Sequence, residues 1–290
     1  MKLAVIYATL GRSEILAGAL AFLLAQTRQA DRIIITAVSS ADVPELPPGL
    51  PIEVVFGPKG LAHQRNTGLK LLGKSVDAVV FFDDDFAPAP GFLATFEAIL
   101  TDDSRIAGVT GHVLADGIRG PGYTFAEAGG FLAGYQPPAL AAATRKPITS
   151  LYGCNMAVRL SMADGLTFEE ALPLYAWQED IDFTFQVSRR GSLIWTDALG
   201  GVHLGVKQSR TSGVRMGYSQ IANPIFLRRK RTMPLSHAYK LMAKNLAANV
   251  FRSIRPEPWC DRRGRFVGNM LALGDLFRGR LHPQNILQLK

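Results

Sequence analysis

The first half of the chain alternates short, mostly apolar runs with segments of helical periodicity. Apolar runs at 3–7, 32–38, 52–56 and 77–82 predict strands, and the segments 13–27, 61–72 and 91–100 predict helices. Continuous apolar runs are typical of strands that are buried on both faces of a parallel sheet. This order predicts an α/β fold with a mostly parallel, mixed sheet flanked by helices. Ligands of such sheets bind beyond the carboxyl ends of the strands.

The pattern changes twice in the second half. Strands are predicted at 105–114, 148–160 and 192–196, with a helix at 179–190, whereas 116–138 is rich in Gly and Pro and predicts a long irregular loop. From about 215 onward, apolar positions recur at helical spacing and the polar positions are basic. We therefore predict a domain over 1–214 and a basic amphipathic helical extension over 215–290.

Composition limits the class of protein. Two cysteines, Cys154 and Cys260, exclude a disulfide scaffold, and the 48% of hydrophobic residues allow a sizeable core. The first apolar run is too short for a signal peptide, and no run is long enough to predict a transmembrane helix, so we predict a cytoplasmic protein. The net charge of +8 predicts an anionic partner: a phosphate-bearing substrate, a membrane surface or nucleic acid.

The strongest chemical signal is three consecutive carboxylates, Asp83, Asp84 and Asp85, at the end of an apolar strand. Alternation along an extended chain places Asp83 and Asp85 on one side and Asp84 on the other. Two carboxylates on one side suit a hard divalent cation, Mn²⁺ or Mg²⁺, that also holds phosphates. The alternative is an acidic turn without a metal, in which the like charges repel one another.

Three weaker signals accompany these acids. Glu179 and Asp180 open a predicted helix just after Trp177, where a carboxylate can act as a general base or simply stabilise the helix start. Arg65 lies in a Gly-bounded polar segment, 60–68, and could pair with a phosphate or lie on a solvated helix face. His203 could be a metal ligand or a structural histidine.

Some common nucleotide-binding and hydrolase motifs are absent. The sequence contains no G-x-x-x-x-G-K-[ST], no G-x-G-x-x-G after the first strand and no G-x-S-x-G. The absence of these motifs argues against a Walker ATPase, a classical Rossmann dehydrogenase or an α/β-hydrolase.

Taken in chain order, the motifs resemble those of family 2 glycosyltransferases with the GT-A fold. The resemblance covers about 1–205 and includes VIYATLGR near the start, the G-x-x-x-x-R-N-x-G of 60–68, FFDDD, GCNMAVR, QED and His203. It implies inverting transfer of a sugar from a nucleotide diphosphate, here predicted as UDP-linked, to an acceptor hydroxyl. The acceptor is expected to be a glycan or a lipid-linked molecule in bacterial cell-surface polysaccharide synthesis.

The resemblance also implies roles for individual residues. Asp180 is expected to be the catalytic base, with Glu179 as the alternative, and Asp83, Asp85 and His203 are expected to hold Mn²⁺ or Mg²⁺. The expected donor-binding residues are Thr9, Arg12, Ser39, Arg65, Asp83, Asp84 and Asp85. The expected sugar or acceptor pocket contains Gly153, Asn155, Met156 and Trp177. The family often has Asp where Ser39 or Ser40 closes the second strand, which leaves the nucleotide open.

Other functions remain open at this point. The basic extension could bind the inner face of the cell membrane as a peripheral segment, pack as helices against the sheet, or form a dimer contact. A nucleotidyltransferase also uses acids at a parallel sheet, although residues 9–14 lack a Gly-rich basic phosphate loop. The further alternatives are an inactive sugar-binding relative and a protein that binds nucleic acid or other anions; we expect no nucleic-acid partner, because no recognised binding motif accompanies the charge.

Overall fold

The structure, a computed structural model, describes residues 1–208 and 211–289. The chain divides into two compact units. The sheet unit comprises Met1–Lys59, His63–Thr167 and Gln186–Ser209, and the helical unit comprises Gly60–Ala62, Phe168–Phe185 and Arg210–Lys290. The domain boundary placed between 214 and 215 stays a prediction; in the structure, the compact helical unit also takes in 168–185.

The sheet unit is built on a mixed sheet, to which nine strands contribute within the described residues. The strands are β1 (Leu3–Ala8), β2 (Arg32–Ala37), β3 (Ile52–Phe56), β4 (Ala78–Asp83), β5 (Phe86–Pro88), β6 (Ile106–Asp116), β7 (Arg145–Pro147), β8 (Asn155–Arg159) and β9 (Ser192–His203). Their order is β3-β2-β1-β4-β8-β6-β9-β5, with β7 beside β9. The first four strands pair in parallel, and so do β6 and β9, whereas β8 runs antiparallel between β4 and β6. The predicted mixed α/β fold is confirmed.

Helices cover this sheet and make up most of the helical unit. They are α1 (Ser13–Leu24), α2 (Leu61–Leu72), α3 (Phe92–Asp102), α4 (Phe125–Ala133), α5 (Leu160–Ala163), α6 (Glu179–Ser188), α7 (Gly213–Lys230), α8 (Leu235–Arg252) and α9 (Arg262–Phe277). Among the described helices, none is both long and apolar enough to cross a lipid bilayer.

The core of the sheet unit explains why the apolar runs became central strands. Each residue of β1 from Leu3 to Tyr7 is buried, as expected for a strand covered on both faces. Phe82, at the end of β4, stacks on Phe86 with ring centroids 5.3 Å apart and meets the edge of Phe92 on α3. This aromatic cluster fixes the chain on both sides of Asp83, Asp84 and Asp85.

Two predictions about the middle of the chain are wrong. The segment 116–138 is not a continuous irregular loop, because it contains α4, whose start is capped by reciprocal hydrogen bonds between Thr124 and Glu127. The strand predicted at 192–196 extends to His203. Gly200 and Gly201 continue it because neighbouring rings lie against them: a Cβ at Gly201 would lie 2.1 Å from a ring carbon of Phe86.

Helices α7, α8 and α9 are joined by a buried polar network and by close glycine contacts. Asn249 donates hydrogen bonds to Gln220 (2.7 Å) and Asn269 (2.8 Å). A Cβ at Gly217 or Gly268 would lie 2.0 Å from a carbonyl oxygen of the facing helix. These contacts fix the register of the three helices, because the amides are buried and each glycine leaves room only for backbone.

Candidate active site

The structure brings Asp83, Asp85 and His203 together at the carboxyl edge of the sheet. Asp83 ends β4, and Asp85 lies just before Phe86, which pairs with His203 at the end of β9. His203 Nε2 lies 3.4 Å from Asp85 Oδ1 and 3.9 Å from Asp83 Oδ2. One ligand atom from each of the three residues lies within 4.8 Å of the others. Two carboxylates and an imidazole form a donor set that fits Mn²⁺ or Mg²⁺.

His203 is oriented by an acid that the sequence did not single out. Its Nδ1 lies 2.9 Å from Asp116 Oδ1, and the Tyr152 hydroxyl donates to the other oxygen of Asp116 at 3.0 Å. Burial alone would lower the pKa of His203, but the hydrogen bonds to Asp116 and Asp85 and the charge of Asp83 raise it to about 10. A carboxylate behind a histidine is the usual arrangement that orients a metal-binding imidazole, and a cation held by Asp83 and Asp85 would favour the neutral ring that a metal ligand requires.

Asp85 is held in place by the chain that follows His203. The Val206 amide donates to Asp85 Oδ2 at 2.8 Å, and the Leu204 amide donates to the backbone carbonyl of Asp85 at 2.9 Å. Burial alone would raise the pKa of Asp85, but the hydrogen bond and charge of His203, together with the charge of Arg12, lower it to about 2. Asp85 is therefore an anion at neutral pH, as a metal ligand must be.

Asp84 is held by contacts different from those of its two neighbours. It accepts hydrogen bonds from the Thr9 hydroxyl at 2.8 Å and from Arg12 Nη1 at 3.0 Å. Burial raises the pKa of Asp84 to about 7, with the Asp85 charge adding to the rise and Arg12 opposing it. Arg12 also donates to the carbonyls of Val206 and Gln208. Thr9, Arg12 and Asp84 thus tie the turn after β1 to the segment after β9.

Arg65 contacts Asp83 and the backbone of Gly153. Its side chain is 2% exposed, and Nη2 donates to Asp83 Oδ1 at 3.0 Å and to the Gly153 carbonyl at 2.9 Å. The neighbouring Gln64 donates to the carbonyls of Thr9 and Thr36 and so joins the ends of β1 and β2. In this structure, Arg65 orients Asp83; a contact between Arg65 and a nucleotide stays a prediction.

Asp42 is a second acid that the sequence analysis missed. Ser39 precedes a short 3₁₀ turn, and its amide and hydroxyl donate to Asp42 at 2.8 and 3.0 Å. The Gly11 amide donates to the other carboxylate oxygen at 2.6 Å. Burial raises the pKa of Asp42, but these hydrogen bonds lower it overall. The Ser-x-x-Asp spacing of a capping box was the available signal.

The predicted sugar or acceptor residues of β8 lie within the sheet. Asn155 is fully buried and bonds with the Thr110 hydroxyl, and Met156 is also fully buried and pairs with Phe81 of β4. Gly153 contributes its carbonyl to Arg65. A contact between these residues and a sugar stays a prediction.

Two basic residues, Lys207 and Arg210, follow His203 in the sequence. Lys207 Nζ donates to the Gly117 and Ile118 carbonyls, at 2.9 and 3.3 Å, next to Asp116. Arg210 lies outside the described residues.

Within the helical unit, Glu179 and Asp180 form the first turn of α6. The backbone before them is strained: Leu174, Ala176 and Gln178 have φ values of 58°, 49° and 80°, which are uncommon for residues with a side chain. Strain of this kind concentrates at functional sites. The strained segment sets the position of the first turn of α6, and its backbone conformation costs free energy.

Two contacts hold this strained segment and the first turn. Asn223 of α7 donates to the Trp177 carbonyl at 2.8 Å. Lys230, at the end of α7, binds the buried Asp182 at 2.7 Å and Glu169 at 2.8 Å. Burial would lower the pKa of Lys230, but the two carboxylates raise it. Lys230 thus fixes the residue two positions after Asp180.

Comparison with known proteins identifies the fold. No protein-family model and no curated protein sequence matches the chain. Among solved structures, the chain is similar to the mannosyltransferase PcManGT from Pyrobaculum calidifontis in complex with GDP-Man and Mn²⁺, with a TM-score of 0.53 and 14% identity over 99% of this chain and 84% of that one.

Two structures of TarS from S. aureus give the same result. TarS 1–349 in complex with UDP-GlcNAc has a TM-score of 0.55 at 16% identity, over 99% of this chain and 83% of that one. A second TarS structure has a TM-score of 0.53 at 14% identity, over 89% of this chain and 46% of that one. Such low identity bears on the fold alone, and the chain has the fold of the GT-A-type glycosyltransferases.

Proposed function

We propose that the protein is a glycosyltransferase that moves a sugar from a nucleotide diphosphate sugar to an acceptor hydroxyl. The observation that carries the proposal is the cluster of Asp83, Asp85 and His203 at the carboxyl edge of a GT-A-type sheet. Solved structures of the same fold contain GDP-Man with Mn²⁺ or UDP-GlcNAc. Membership of family 2 and a UDP-linked donor are the finer form of the proposal, supported by the order of the motifs.

In this proposal, Asp83, Asp85 and His203 would hold Mn²⁺ or Mg²⁺. The bound cation would offset the negative charge that grows on the departing diphosphate. Arg65 keeps Asp83 in place, Asp116 keeps His203 in place, and the Val206 amide does the same for Asp85. The acids are therefore oriented before a cation or a donor binds, which reduces the reorganisation needed during the reaction.

Thr9, Arg12, Ser39 and Asp84 shape the donor side in the same proposal. Arg12 balances the Asp84 and Asp85 charges, and Ser39 fixes the loop after β2 through Asp42. The nucleoside would lie over this edge, where the ends of parallel strands meet. Backbone groups and hydroxyls would then contact the nucleoside, since Arg12 and Asp84 already bind each other.

The transfer itself requires a base, and we assign that role to Asp180, with Glu179 as the alternative. The carboxylate would take the proton of the acceptor hydroxyl while that oxygen attacks the anomeric carbon from the face opposite the diphosphate. The C–O bond to the diphosphate then breaks, and the configuration at the anomeric carbon inverts. Trp177 would give the sugar an apolar face, and Gly153 with the buried Asn155 and Met156 would support the acceptor side from within the sheet.

The acceptor belongs to the finer part of the proposal. We propose a glycan or a lipid-linked molecule, met on the cytoplasmic side of the cell membrane in the synthesis of a surface polysaccharide. The support is the resemblance of the motifs to family 2 glycosyltransferases and the basic character of 215–290.

Calorimetric titration of UDP, GDP and TDP tests the proposal, with Mn²⁺ and then with a chelator. We expect one nucleotide to bind with Mn²⁺ and to be released by the chelator, and we expect Asp85→Ala to abolish that binding. The matched control is Asp164→Ala, because Asp164 is a solvent-exposed acid of the same unit. If no nucleotide binds to the folded protein with Mn²⁺ present, the proposed donor site is wrong.

A further inference from the structure

Residues 215–290, which form most of the helical unit, carry a positive charge that the rest of the chain does not share. Residues 215–290 contain 15 Lys or Arg and three Asp or Glu, whereas residues 1–214 contain 17 basic and 21 acidic residues. The positive charge of the whole protein therefore comes from the last quarter of the chain. Such an asymmetry indicates a surface that meets an anionic partner.

Helix α9 presents apolar side chains to solvent along one face. The exposed side chains of this face recur at spacings of three, four and seven residues, which places them in one stripe. Phe277, with 88% of its surface exposed, is the most exposed large apolar residue of the described chain. The apolar members of the stripe are Val267, Met270, Leu271 and Phe277, and Arg263 and Arg278 lie at its two ends.

The orientation of the exposed face of α9 is fixed by the contacts of its opposite face with α7. Gly268 and Asn269 are buried against α7: a Cβ at Gly268 would lie 2.0 Å from the Val214 carbonyl, and Asn269 donates to the Gly217 carbonyl at 2.7 Å. A rotation of α9 that hid Phe277 would break both contacts. The packing of α9 against α7 therefore keeps the apolar stripe exposed to solvent.

The end of α8 and its connection to α9, residues 251–259 (the α8–α9 connection), repeat the same combination of side chains. Phe251 and Ile254 are 74% and 75% exposed, and Trp259 is exposed as well. Arg252 and Arg255 lie between them in the sequence, and Arg252 forms an ion pair with Glu257 at 2.6 Å. Exposing aromatic and aliphatic side chains to water is unfavourable. Apolar patches bordered by arginines are therefore typical of surfaces that bind a partner.

We propose that the helical unit binds the surface of an anionic lipid bilayer, with the α9 stripe and the α8–α9 connection as its contacts. Phe251, Ile254 and Phe277 enter the boundary between headgroups and acyl chains, and the arginines beside them bind the headgroup phosphates. This location goes beyond the proposed transfer reaction and does not depend on it.

The chemistry of the surface favours a bilayer over two other occupants. A second copy of the chain would bring two strongly basic units together, and their like charges would repel. Nucleic acid would satisfy the arginines, but it offers no apolar medium for Val267, Met270 and Leu271. An anionic bilayer satisfies both the charges and the aliphatic side chains.

Flotation of the full chain with vesicles tests the proposal. We expect binding to vesicles of phosphatidylcholine mixed with phosphatidylglycerol, weak binding to phosphatidylcholine alone, and loss of binding as salt rises. Phe277→Ser and Phe251→Ser should each weaken binding about tenfold, since each removes an exposed phenyl ring that enters the bilayer in this proposal. Arg278→Glu should weaken it about fivefold or more.

Matched controls come from the sheet unit. Phe56→Ser removes an exposed phenyl ring of β3, and Lys70→Glu reverses an exposed charge of α2, and both should leave vesicle binding unchanged. A second readout uses Trp259 alone, in a chain with Trp177→Phe and Trp195→Phe. Its fluorescence should shift to shorter wavelength when anionic vesicles are added.

Three results would overturn the proposal. The first is that the folded chain binds neither vesicle at low salt. The second is that the chain forms a dimer that Phe277→Ser dissociates, which would assign the surface to a second copy. The third is that an oligonucleotide binds and is lost in the same variants while vesicles do not bind.

Discussion

The two units of this protein use charge in opposite ways. In the sheet unit, Asp84, Asp85, Arg65 and His203 are buried and Arg12 is partly buried, and these groups form ion pairs with one another or with Asp83 around a single edge. In the helical unit, most of the described arginines are exposed, and the buried network that joins α7, α8 and α9 consists of neutral amides. Buried charges fix geometry because each is held by a partner, whereas exposed charges remain available to an outside partner. In our proposals, the sheet unit holds the metal and donor site, whereas the helical unit carries the base Asp180 and a surface for an anionic bilayer.

The largest expected effect tests the chemistry. Asp180→Asn should lower kcat by about 10²- to 10⁴-fold and leave donor binding unchanged, because the amide cannot accept the acceptor's proton. Steady-state kinetics with the donor found by titration gives kcat, and calorimetry gives donor affinity. Glu179→Gln is the matched comparison. If Glu179→Gln loses kcat and Asp180→Asn does not, the base is Glu179.

The next effect tests whether the helical unit depends on close backbone packing. Gly268→Ala should lower the free energy of unfolding by about 3 kcal/mol, because its Cβ would overlap the Val214 carbonyl. Gly274→Ala, in the same helix, meets only the end of the Arg278 side chain and should stabilise by up to about 1 kcal/mol. Denaturant titration measures both. Equal effects from the two substitutions would show that the α7–α9 contact is not tight.

The third effect concerns Lys230, a partly buried charge that forms ion pairs within the helical unit. Lys230→Met should cost about 2 kcal/mol of stability at neutral pH, because charged hydrogen bonds to Asp182 and Glu169 are lost. Lys244→Met, on the exposed face of α8, should change stability by less than about 0.5 kcal/mol.

The cost of Lys230→Met should depend on pH in one direction. Burial raises the pKa of Glu169, but the Lys230 contact lowers it below its ordinary value of 4.5 overall. A lowered carboxylate pKa stabilises the fold fully above pH 4.5, and that contribution is lost as the pH falls through the lowered value. The difference in the free energy of unfolding between Lys230→Met and the unchanged chain should therefore become smaller in acid. A difference that grows in acid would contradict this assignment.

The smallest effect tests how the site is oriented. Asp116→Asn should weaken Mn²⁺ binding about tenfold, because His203 loses the carboxylate that fixes its ring. Tyr152→Phe should weaken binding less, since it removes one hydrogen bond to Asp116. Calorimetry with Mn²⁺ alone measures both, and the exposed Asp164→Asn serves as control. An unchanged affinity in Asp116→Asn would remove Asp116 from the site.

Local patterns in the sequence predicted the parts of the fold that local physics controls. The apolar run of β4 followed by Asp83, Asp84 and Asp85 is such a pattern, because alternation separates the middle acid from the outer two. The helices α8 and α9 followed from periodicity alone. Parallel strands buried on both faces leave a continuous apolar run, which is why the first four strands could be placed.

Other features depend on residues that are distant in sequence. Asp116 and Asp42 are isolated acids, and only the approach of His203 and Gly11 gives them a role. The extent of β9 through Gly200 and Gly201 could not be predicted, because glycine pairs usually indicate a turn and only the neighbouring rings show otherwise. Helix α4 was missed although its capping box was present, since the glycines around it outweighed that signal.

The hydrogen bonds of the site join parts of the chain that are synthesised far apart. Asp116 and His203 are 87 residues apart, Asp85 and Val206 are 121 apart, and Arg12 and Gln208 are 196 apart. Closing such long loops costs entropy before any contact repays it, so folding that relies on them is slow. We therefore expect the acidic edge to form late, after β9 has docked beside β6. A nascent chain that ends before His203 would contain Asp83 and Asp85 but would lack the imidazole and the Val206 amide that contact Asp85. The acidic edge would therefore be incomplete until the rest of the chain is synthesised.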